Sequence, residues 1–361
     1  MIEGKRIDYI DISKGLGMLA IIWGHIMLSG WSNHLVYGFD IPLFFFLSGM
    51  VYNHKKYNSL PFLLKRRART LIKPYIIFSV VTWLIWVVYN SFLHNQVESF
   101  INPLIQTLIA QGSGGYLVHN VPLWFVTCLL FIEIVYYFIR RYTIVLLNLA
   151  ICVVCAVVGY LMILPNDFFD FKTLPWSIEA GLSALIFYSS GNLLISYIGH
   201  EKILGAFERN KVYFIMVMLA LFVVLFIGTS YNGHVTLATN ILGKNPAVFY
   251  LTGFCGLSAT IIFSIVCQHL KGKGFFSGVI NAIQWIGSNS FFFMAIHVPI
   301  KGFVVVVLAK LLKLESARLV QTSMEYSFLA FVVTLIVSTF IIVLINRWIS
   351  FYNAKFSSER A

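Results

Sequence analysis

Lys14 and His25 are the two residues of the first apolar segment whose types and spacing point to chemistry. His25 lies inside the apolar stretch 15–31, where a polar side chain is costly unless it finds a partner, so an ionisable residue there usually has a function. Lys14 precedes it by eleven residues, about three helical turns, so both side chains share one helix face roughly 16 Å apart. An imidazole in this position can accept and return a proton, or act as a nucleophile.

Arg66 and Arg69 form a second candidate pair, in the basic segment 53–73, which holds seven lysine and arginine residues. At positions i and i+3 of a helix, the two guanidinium groups lie on one face and can bind a phosphate through paired hydrogen bonds. Attraction of the whole segment to anionic lipid headgroups is the alternative explanation of its charge. We therefore expect either a phosphate-bearing ligand or a lipid surface here.

Three further ionisable residues lie in or beside apolar stretches. His297 is expected in the outer half of its span, where it either contacts a substrate or makes a hydrogen bond between helices. Glu133 and Glu179 lie within or at the edge of spans, and buried carboxylates of this kind often mark polar cavities or proton paths. We assign neither glutamate a catalytic role.

The segment 95–122 is a candidate lid over a binding site. It contains no lysine or arginine, but has Glu98, Tyr116, His119 and Asn120 beside a glycine-rich run. Loops of this length between spans are either functional covers or ordinary connections, and the sequence leaves both readings open.

The elements that must position these residues are membrane helices. Charged residues make up 11% of the chain against about 25% in soluble domains, and hydrophobic residues make up 59%. With a mean hydropathy of +0.84, the composition predicts an all-α polytopic membrane helical bundle embedded in a lipid bilayer. We predict about ten transmembrane helices, near residues 13–31, 37–52, 74–94, 123–139, 142–164, 176–199, 212–230, 248–270, 289–310 and 326–346. The stretch 37–52 is short and contains Asp40 and Pro42, so it is either a half-helix or a re-entrant segment.

The distribution of positive charge predicts the orientation. The formal net charge is +12, and 20 of the 26 lysine and arginine residues fall on one side when the N-terminus is placed in the cytoplasm. Because cytoplasmic segments of membrane proteins are enriched in these residues, both termini are predicted to be cytoplasmic. Residues 1–350 are expected to form one transmembrane domain and residues 351–361 a short cytoplasmic tail. The charge therefore does not indicate a nucleic-acid partner.

Several function classes lack support in the sequence. The chain has no P-loop, no dinucleotide-binding glycine motif and no HExxH zinc motif. The five cysteines all fall inside predicted spans, so no disulfide framework and no metal site are expected. Acidic residues before the first apolar segment argue against a cleaved signal peptide.

Several motifs together resemble the membrane-bound acyltransferase 3 family, and most closely its fucose 4-O-acetylase-like branch. The first motif, the run from Arg6 to Gly15 continued by Trp23-Gly24-His25, is the most specific. Later landmarks agree in order and spacing: Pro42 to Gly49, Lys73-Pro74-Tyr75, Leu123-Trp124-Phe125, and Gly287 to Ser290 leading to His297. The resemblance covers nearly the whole chain.

The resemblance implies a multi-pass O-acyltransferase of the cell membrane (inner or plasma membrane). Such enzymes transfer an acyl group, usually acetyl from cytoplasmic acetyl-CoA, to a hydroxyl of a sugar or polysaccharide precursor. By position, His25 is then catalytic, and Lys14, Arg66 and Arg69 hold the phosphates of CoA. The partners implied are acyl-CoA, a carbohydrate acceptor and the bilayer.

The resemblance also marks three residues on the acceptor side. His297 and Trp124 are expected to contact the acceptor. Many members of the branch have histidine just before the proline of the phenylalanine-rich run, whereas this chain has Asp40, so the role of Asp40 is open. No hydrolase-like domain follows the last predicted span, so we expect the membrane domain to perform the whole transfer or to pass the acyl group to a separate protein.

Two routes and two functions stay open at this point. His25 either accepts the proton of the attacking hydroxyl, or carries the acyl group itself as a relay between the two membrane faces. A multi-span transporter or flippase for a glycan or small solute is the alternative function, because it too would place ionisable residues within spans.

Overall fold

The computed structural model describes residues 6–28, 30–92, 99–112, 116–162, 174–272, 274 and 276–358, with the side chains of 353–358 excepted. Among these residues every regular element is helical, and β pairing is confined to an isolated bridge between Thr236 and Ile241. The predicted all-α fold is therefore confirmed. Residues that entered the orientation and lid predictions but lie outside the described part are Lys5, Glu98, residues 113–115 of the glycine-rich run, Lys172, Lys273 and Arg360.

Sixteen α-helices lie within the described residues. In chain order they are α1 (Asp8–Ile26), α2 (Trp31–Tyr37), α3 (Asp40–Val51), α4 (Leu60–Arg67), α5 (Lys73–Phe92), α6 (Asn102–Ile109), α7 (Trp124–Tyr142), α8 (Val145–Leu161), α9 (Ile178–Tyr197), α10 (His200–Arg209), α11 (Lys211–Asn232), α12 (Pro246–Leu270), α13 (Phe276–Ser288), α14 (Ser290–Leu311), α15 (Arg318–Thr322) and α16 (Met324–Ser358). A π-helical segment, Ala68–Ile72, joins α4 to α5.

Eight helical stretches of the described residues are long and apolar enough to cross a bilayer. They contain α3, α5, α7, α9, α11, α12, α14 and α16, and each coincides with a predicted span. The two other predicted spans coincide with α1, whose first two turns carry Asp8, Asp11 and Lys14, and with α8, which has 17 residues. A polytopic helical membrane protein is thus confirmed, while the number of ten spans and the cytoplasmic location of both termini stay predictions.

α1 begins earlier in the chain than predicted. It runs from Asp8 to Ile26 rather than over 13–31, because Tyr9 and Ile10 are already buried in the bundle. Lys14 and His25 nevertheless belong to one continuous helix, which preserves their spacing of about three turns.

The weakest predicted span, 37–52, is a broken helix. α2 ends at Tyr37 and α3 begins at Asp40, with Phe39 between them in a non-helical conformation. α3 has 12 residues, so at about 1.5 Å per residue it is too short to cross the hydrocarbon core alone. The half-helix alternative fits this geometry.

Close backbone contacts join the inner helices. α7, α9 and α12 are the most buried spans, whereas α5, α11 and α16 present mostly exposed apolar surface. α3 packs on α9 where Gly49 and Gly191 face each other's helix, and a Cβ at either glycine would collide with a backbone carbonyl of the partner helix. Small residues at such contacts are the usual means of packing membrane helices.

The connection between α12 and α14 contains a helix that the sequence analysis missed. α13 occupies most of this connection and packs along the first half of α1. Gly287 of α13 lies against the carbonyl of Asp11, and Gly15 of α1 lies against the carbonyl of Ile283. This contact fixes the part of α1 that carries Lys14.

Candidate functional site

His25 and His297 meet within the helical bundle. Their ring centroids are 5.1 Å apart with the ring planes inclined at 49°. α1 provides His25 from its last turn, and α14 provides His297, which is fully buried. The ring of Tyr37, at the end of α2, stands edge-on to that of His25 at 6.4 Å. Two imidazoles predicted separately from the sequence therefore belong to one site.

The bonding of His297 differs from the interhelical alternative. His297 is the eighth residue of the 22 in α14, in the first half of that helix, and its place in the outer half of the membrane stays a prediction. Its Nδ1 contacts the carbonyls of Phe293 at 2.8 Å and Met294 at 3.1 Å, both of its own helix. The expected interhelical hydrogen bond is therefore wrong for this nitrogen.

The tautomer of neutral His297 follows from these partners. Because both carbonyls can only accept, Nδ1 must hold the proton and donate it, which leaves Nε2 with a lone pair. Nε2 is buried and has no hydrogen-bond partner among the described residues. A buried acceptor without a partner is uncommon, and at a site it is positioned to receive a donor from a ligand or a neighbouring ring.

The end of α1 is capped by side chains from other helices. The last carbonyls of a helix have no partner within it. At α1, Asn33 Nδ2 donates to the carbonyl of Gly24 at 3.1 Å, and Tyr37 Oη contacts the same oxygen at 3.4 Å. Lys301 Nζ, from α14, donates to the carbonyl of His25 at 3.4 Å. Elements far apart in the sequence thus hold the catalytic candidate in place.

Pro299 explains how the loop that contains Asn120 is attached to α14 near this site. Proline has no N–H, so the carbonyl four residues earlier, that of Ala295, lacks its helical partner. Asn120 Nδ2 donates to this carbonyl at 2.6 Å. The contact lies two residues before His297, so the segment 116–120 packs against α14 beside the histidine pair. For this described part of the candidate lid, an ordered loop fits better than a flexible cover.

His119 is part of the same loop. It is 3% exposed, and neither of its ring nitrogens has a hydrogen-bond partner among the described residues. Burial lowers the pKa of His119 to about 4, so its imidazole is neutral at physiological pH.

The first turn of α1 is anchored by polar contacts. Asp8 pairs with Lys271 at 2.7 Å and accepts a hydrogen bond from Gln284 at 2.9 Å. The hydroxyl of Tyr9 lies 2.7 Å from Nδ1 of His200. These contacts to α10, α13 and the end of α12 hold the axial position of α1, and with it the cation and the imidazole three turns apart.

The two glutamates of the spans have structural partners. Glu133 of α7 forms an ion pair with Arg67, whose guanidinium also lies over the ring of Tyr57 at 5.5 Å. Glu179, in the first turn of α9, accepts a hydrogen bond from the backbone N–H of Leu174 at 3.1 Å. The proton-path interpretation of these carboxylates finds no support in their contacts.

The predicted arginine pair is interrupted by a change of helix type. α4 ends at Arg67 and π-helical hydrogen bonding begins at Ala68. Contrary to the prediction, Arg66 and Arg69 therefore do not lie on one regular α-helix. Arg66 is half-buried, Arg69 is exposed, and neither pairs with a carboxylate of the described residues. Both guanidinium groups therefore stay available to bind an anion.

Asp40 and Trp124 occupy different places. Asp40 is 2% exposed in the first turn of α3, three residues after Tyr37, and accepts the backbone N–H of Ile41 at 2.6 Å. Trp124 is 4% exposed at the start of α7, where it packs on Phe125 and on Gly112 of the segment before α7. Asp40 therefore lies just across the helix break from Tyr37, which contacts His25, whereas the contacts of Trp124 are with the segment before α7.

Three contributors were missed from the sequence. Lys301 follows His297 by four residues, which on a helix puts both on one face, and that spacing was a usable signal. The capping role of Asn120 depends on Pro299 nearly 180 residues away, and no local pattern reveals it. Arg67 was likewise indistinguishable from its basic neighbours. In the described part of the chain, no group of three or more histidine, cysteine or acidic residues is placed to hold a metal ion.

Comparison with known proteins identifies a family. A family model, Acyl_transf_3, described as an acyltransferase domain, matches residues 7–346 of the chain. No curated protein and no solved structure matches. The matched range includes all the site residues described above, from α1 to α14.

Proposed function

The chain belongs to the acyltransferase 3 family and is a membrane acyltransferase. We propose that it transfers an acyl group, namely acetyl, from cytoplasmic acyl-CoA to a hydroxyl of a sugar or cell-surface polysaccharide precursor. The cell membrane, inner or plasma, is its proposed location. Within the family, the proposed branch is the fucose 4-O-acetylase-like one, on the motifs described above.

The observation that carries this proposal is the contact between half-buried His25 of α1 and buried His297 of α14. Acyl transfer to a hydroxyl needs a group that takes the hydroxyl proton, since the hydroxyl is a poor nucleophile at neutral pH. His25 stands beside a second imidazole whose Nε2 lone pair is unpartnered among the described residues. We assign His25 the catalytic role, and His297 the role of accepting a hydrogen bond from His25 or from a neighbouring hydroxyl of the acceptor sugar.

Two routes of acyl transfer are available to His25. In the first, it accepts the proton of the acceptor hydroxyl while the hydroxyl oxygen attacks the thioester carbonyl. The carbon–sulfur bond breaks, and the CoA thiolate takes the proton back. In the second, an imidazole nitrogen of His25 attacks the thioester carbonyl and the carbon–sulfur bond breaks. The CoA thiolate takes the N–H proton of the imidazole and leaves as the thiol. The hydroxyl oxygen then takes the acyl group and returns its proton to the imidazole.

The donor side is proposed to be the cytoplasmic side of α1 and the basic segment. Lys14 lies three turns before His25 on the same helix. Arg66 and Arg69 have no carboxylate partner among the described residues, so their charges are available to the phosphates of CoA. The Arg67–Glu133 ion pair fixes the segment between them to α7.

Mass spectrometry of surface polysaccharides tests the proposal. Cells that produce the protein are compared with cells lacking it and with cells that produce His25→Gln. His269→Gln is the matched control, because His269 also lies in the last turn of a long helix but contacts Glu208 instead of a second histidine. We expect acetylated glycan with the wild type and the control, and none with His25→Gln.

The contrary outcome is also defined. If the folded protein leaves the glycans unchanged, acyl transfer to a surface polysaccharide is excluded under those conditions. Glycan or solute flux in liposomes without acyl-CoA would favour the transporter alternative.

A further inference from the structure

Lys301 is a cation inside the bundle without an acidic partner. It is half-buried in the middle of α14, and no ion pair joins it to any carboxylate that the structure describes. Its hydrogen bond to the carbonyl of His25 is long, at 3.4 Å. A lysine ammonium has three N–H donors, so this contact leaves most of its capacity unused.

Capping of α1 alone does not account for this lysine. A cation near the end of a helix gains only a modest stabilisation from the helix dipole. The cost of placing a lysine within a membrane span is larger than this stabilisation. Such residues therefore tend to have a partner or a function, and the described side chains offer no anionic partner.

The position of Lys301 places it beyond the histidine pair as seen from the cytoplasm. It follows His297 by four residues on α14, about 6 Å further along the helix axis. In the predicted orientation α14 runs outward, whereas Lys14 and the arginines lie on the inner side. A donor bound by those inner cations reaches His25 from one side, and Lys301 faces the side from which the acceptor comes.

Two polar groups in this place have capacity that protein groups do not fill: the Lys301 ammonium and Nε2 of His297. The first can pair with an anion, and the second can accept a hydrogen bond from a hydroxyl. A sugar that carries both a hydroxyl and a negative charge satisfies both.

We propose that Lys301 binds an anionic group of the acceptor, a carboxylate or a phosphate, and so selects acidic or phosphate-linked sugars over neutral ones. This inference rests on the proposed function, acyl transfer to a sugar hydroxyl, and names the substrate class of that site.

Binding of small glycosides to the purified full-length protein in nanodiscs tests the inference. The probes are methyl β-glucuronide, glucose 1-phosphate and the neutral methyl β-glucoside, titrated in the absence of acyl-CoA. Wild type is compared with Lys301→Met, with Lys301→Arg, and with Lys310→Met, an exposed lysine near the end of the same helix, as the control.

We expect at least one anionic probe to bind the wild type about tenfold or more tightly than the neutral glycoside. Lys301→Met loses this preference, Lys301→Arg keeps part of it, and Lys310→Met behaves as wild type. Preference for the glucuronide identifies a carboxylate as the recognised group, and preference for glucose 1-phosphate identifies a phosphate.

Three outcomes overturn the inference: equal binding of charged and neutral probes, no binding of either anion, or unchanged anion preference in Lys301→Met. The last outcome would mean that Lys301 only caps α1. Lys301→Met would then lower the thermal stability of the protein without changing which sugars it binds. Failure of the proposed function is separate. It would appear as absence of CoA release from acetyl-CoA while the preference for anionic sugars persists.

Discussion

The hydrogen bonds of His297 limit how the histidine pair can act. Because Nδ1 is committed to the carbonyls of Phe293 and Met294, neutral His297 can only accept at Nε2. If that acceptor receives the N–H of His25, the other nitrogen of His25 carries the lone pair needed by a base or nucleophile. If it receives a neighbouring hydroxyl of the acceptor sugar instead, it orients the sugar so that the attacking hydroxyl lies beside His25. Either use makes His297 a positioning residue, not a second base.

His119 makes stability depend on pH at the residue scale. Burial lowers its pKa to about 4, below the ordinary value of about 6.5. Between these values the unfolded chain binds a proton that the folded protein does not, so stability falls as pH decreases from about 7 towards 4. At pH 5 the loss from this residue is about 2 kcal/mol. Thermal unfolding at pH 7.5 and pH 5 should therefore show a smaller decrease in His119→Gln than in the wild type. Equal decreases in thermal stability in the two proteins would contradict a lowered pKa for His119.

At the scale of elements, the ion pair between α4 and α7 should hold the basic segment in place. Removing one partner of a buried pair leaves an unpaired charge and costs about 3 kcal/mol or more, whereas exposed pairs contribute about 0–1 kcal/mol. Arg67 and Glu133 are 17% and 3% exposed in their side chains, while Lys211 and Glu208 are 51% and 49% exposed. The two pairs therefore form a matched comparison.

Glu133→Gln is expected to destabilise the protein by about 3 kcal/mol and to weaken binding of acyl-CoA, because the arginines beside Arg67 lose their fixed position. Glu208→Gln should change neither by a measurable amount. Chemical unfolding in detergent and titration with a non-hydrolysable acyl-CoA analogue measure the two effects. If Glu133→Gln is clearly destabilised but binds the acyl-CoA analogue with the affinity of the wild type, the ion pair stabilises the fold without positioning the arginines for the donor.

The contact between α1 and α13 gives a second prediction about elements. A methyl group at Gly287 would collide with the carbonyl of Asp11, so Gly287→Ala should cost about 1–3 kcal/mol by forcing the helices apart. Gly205 lies in α10 with open space around its Cα. Gly205→Ala should be neutral or stabilise by up to about 1 kcal/mol, since alanine is the better helix former. Equal melting temperatures for the two variants would contradict the close packing.

At the scale of the whole molecule, the direction in which the site is entered depends on orientation. Most lysine and arginine residues lie on the side assigned to the cytoplasm, which predicts that both termini are there. A fluorescent protein that folds only in the cytoplasm should be fluorescent when fused to either end. Alkaline phosphatase, which needs the outer side, should be inactive in the same positions. Active phosphatase at either end would reverse the proposed donor and acceptor sides.

Much of this architecture could be read from the sequence because membrane helices leave a strong signal. Each of the ten apolar stretches coincides with a helix, and the line from Lys14 to His25 follows from helical periodicity alone. The pairing of His25 with His297 could not be read, since it depends on how α1 and α14 pack. The helix α13 was missed because it is short and lies between two long apolar runs. The π-helical segment was missed because Arg66 to Arg69 reads as ordinary α-helix.

The most direct test of the central claim, that His25 performs acyl transfer, is transfer of label from radiolabelled acetyl-CoA to glycan by the purified protein in proteoliposomes. With wild type and with His269→Gln, label should appear in the glycan fraction at similar rates. With His25→Gln, the rate should fall by about 10²–10⁴-fold, the usual contribution of a positioned acid–base group. A folded His25→Gln protein that transfers label as fast as the wild type would contradict the account.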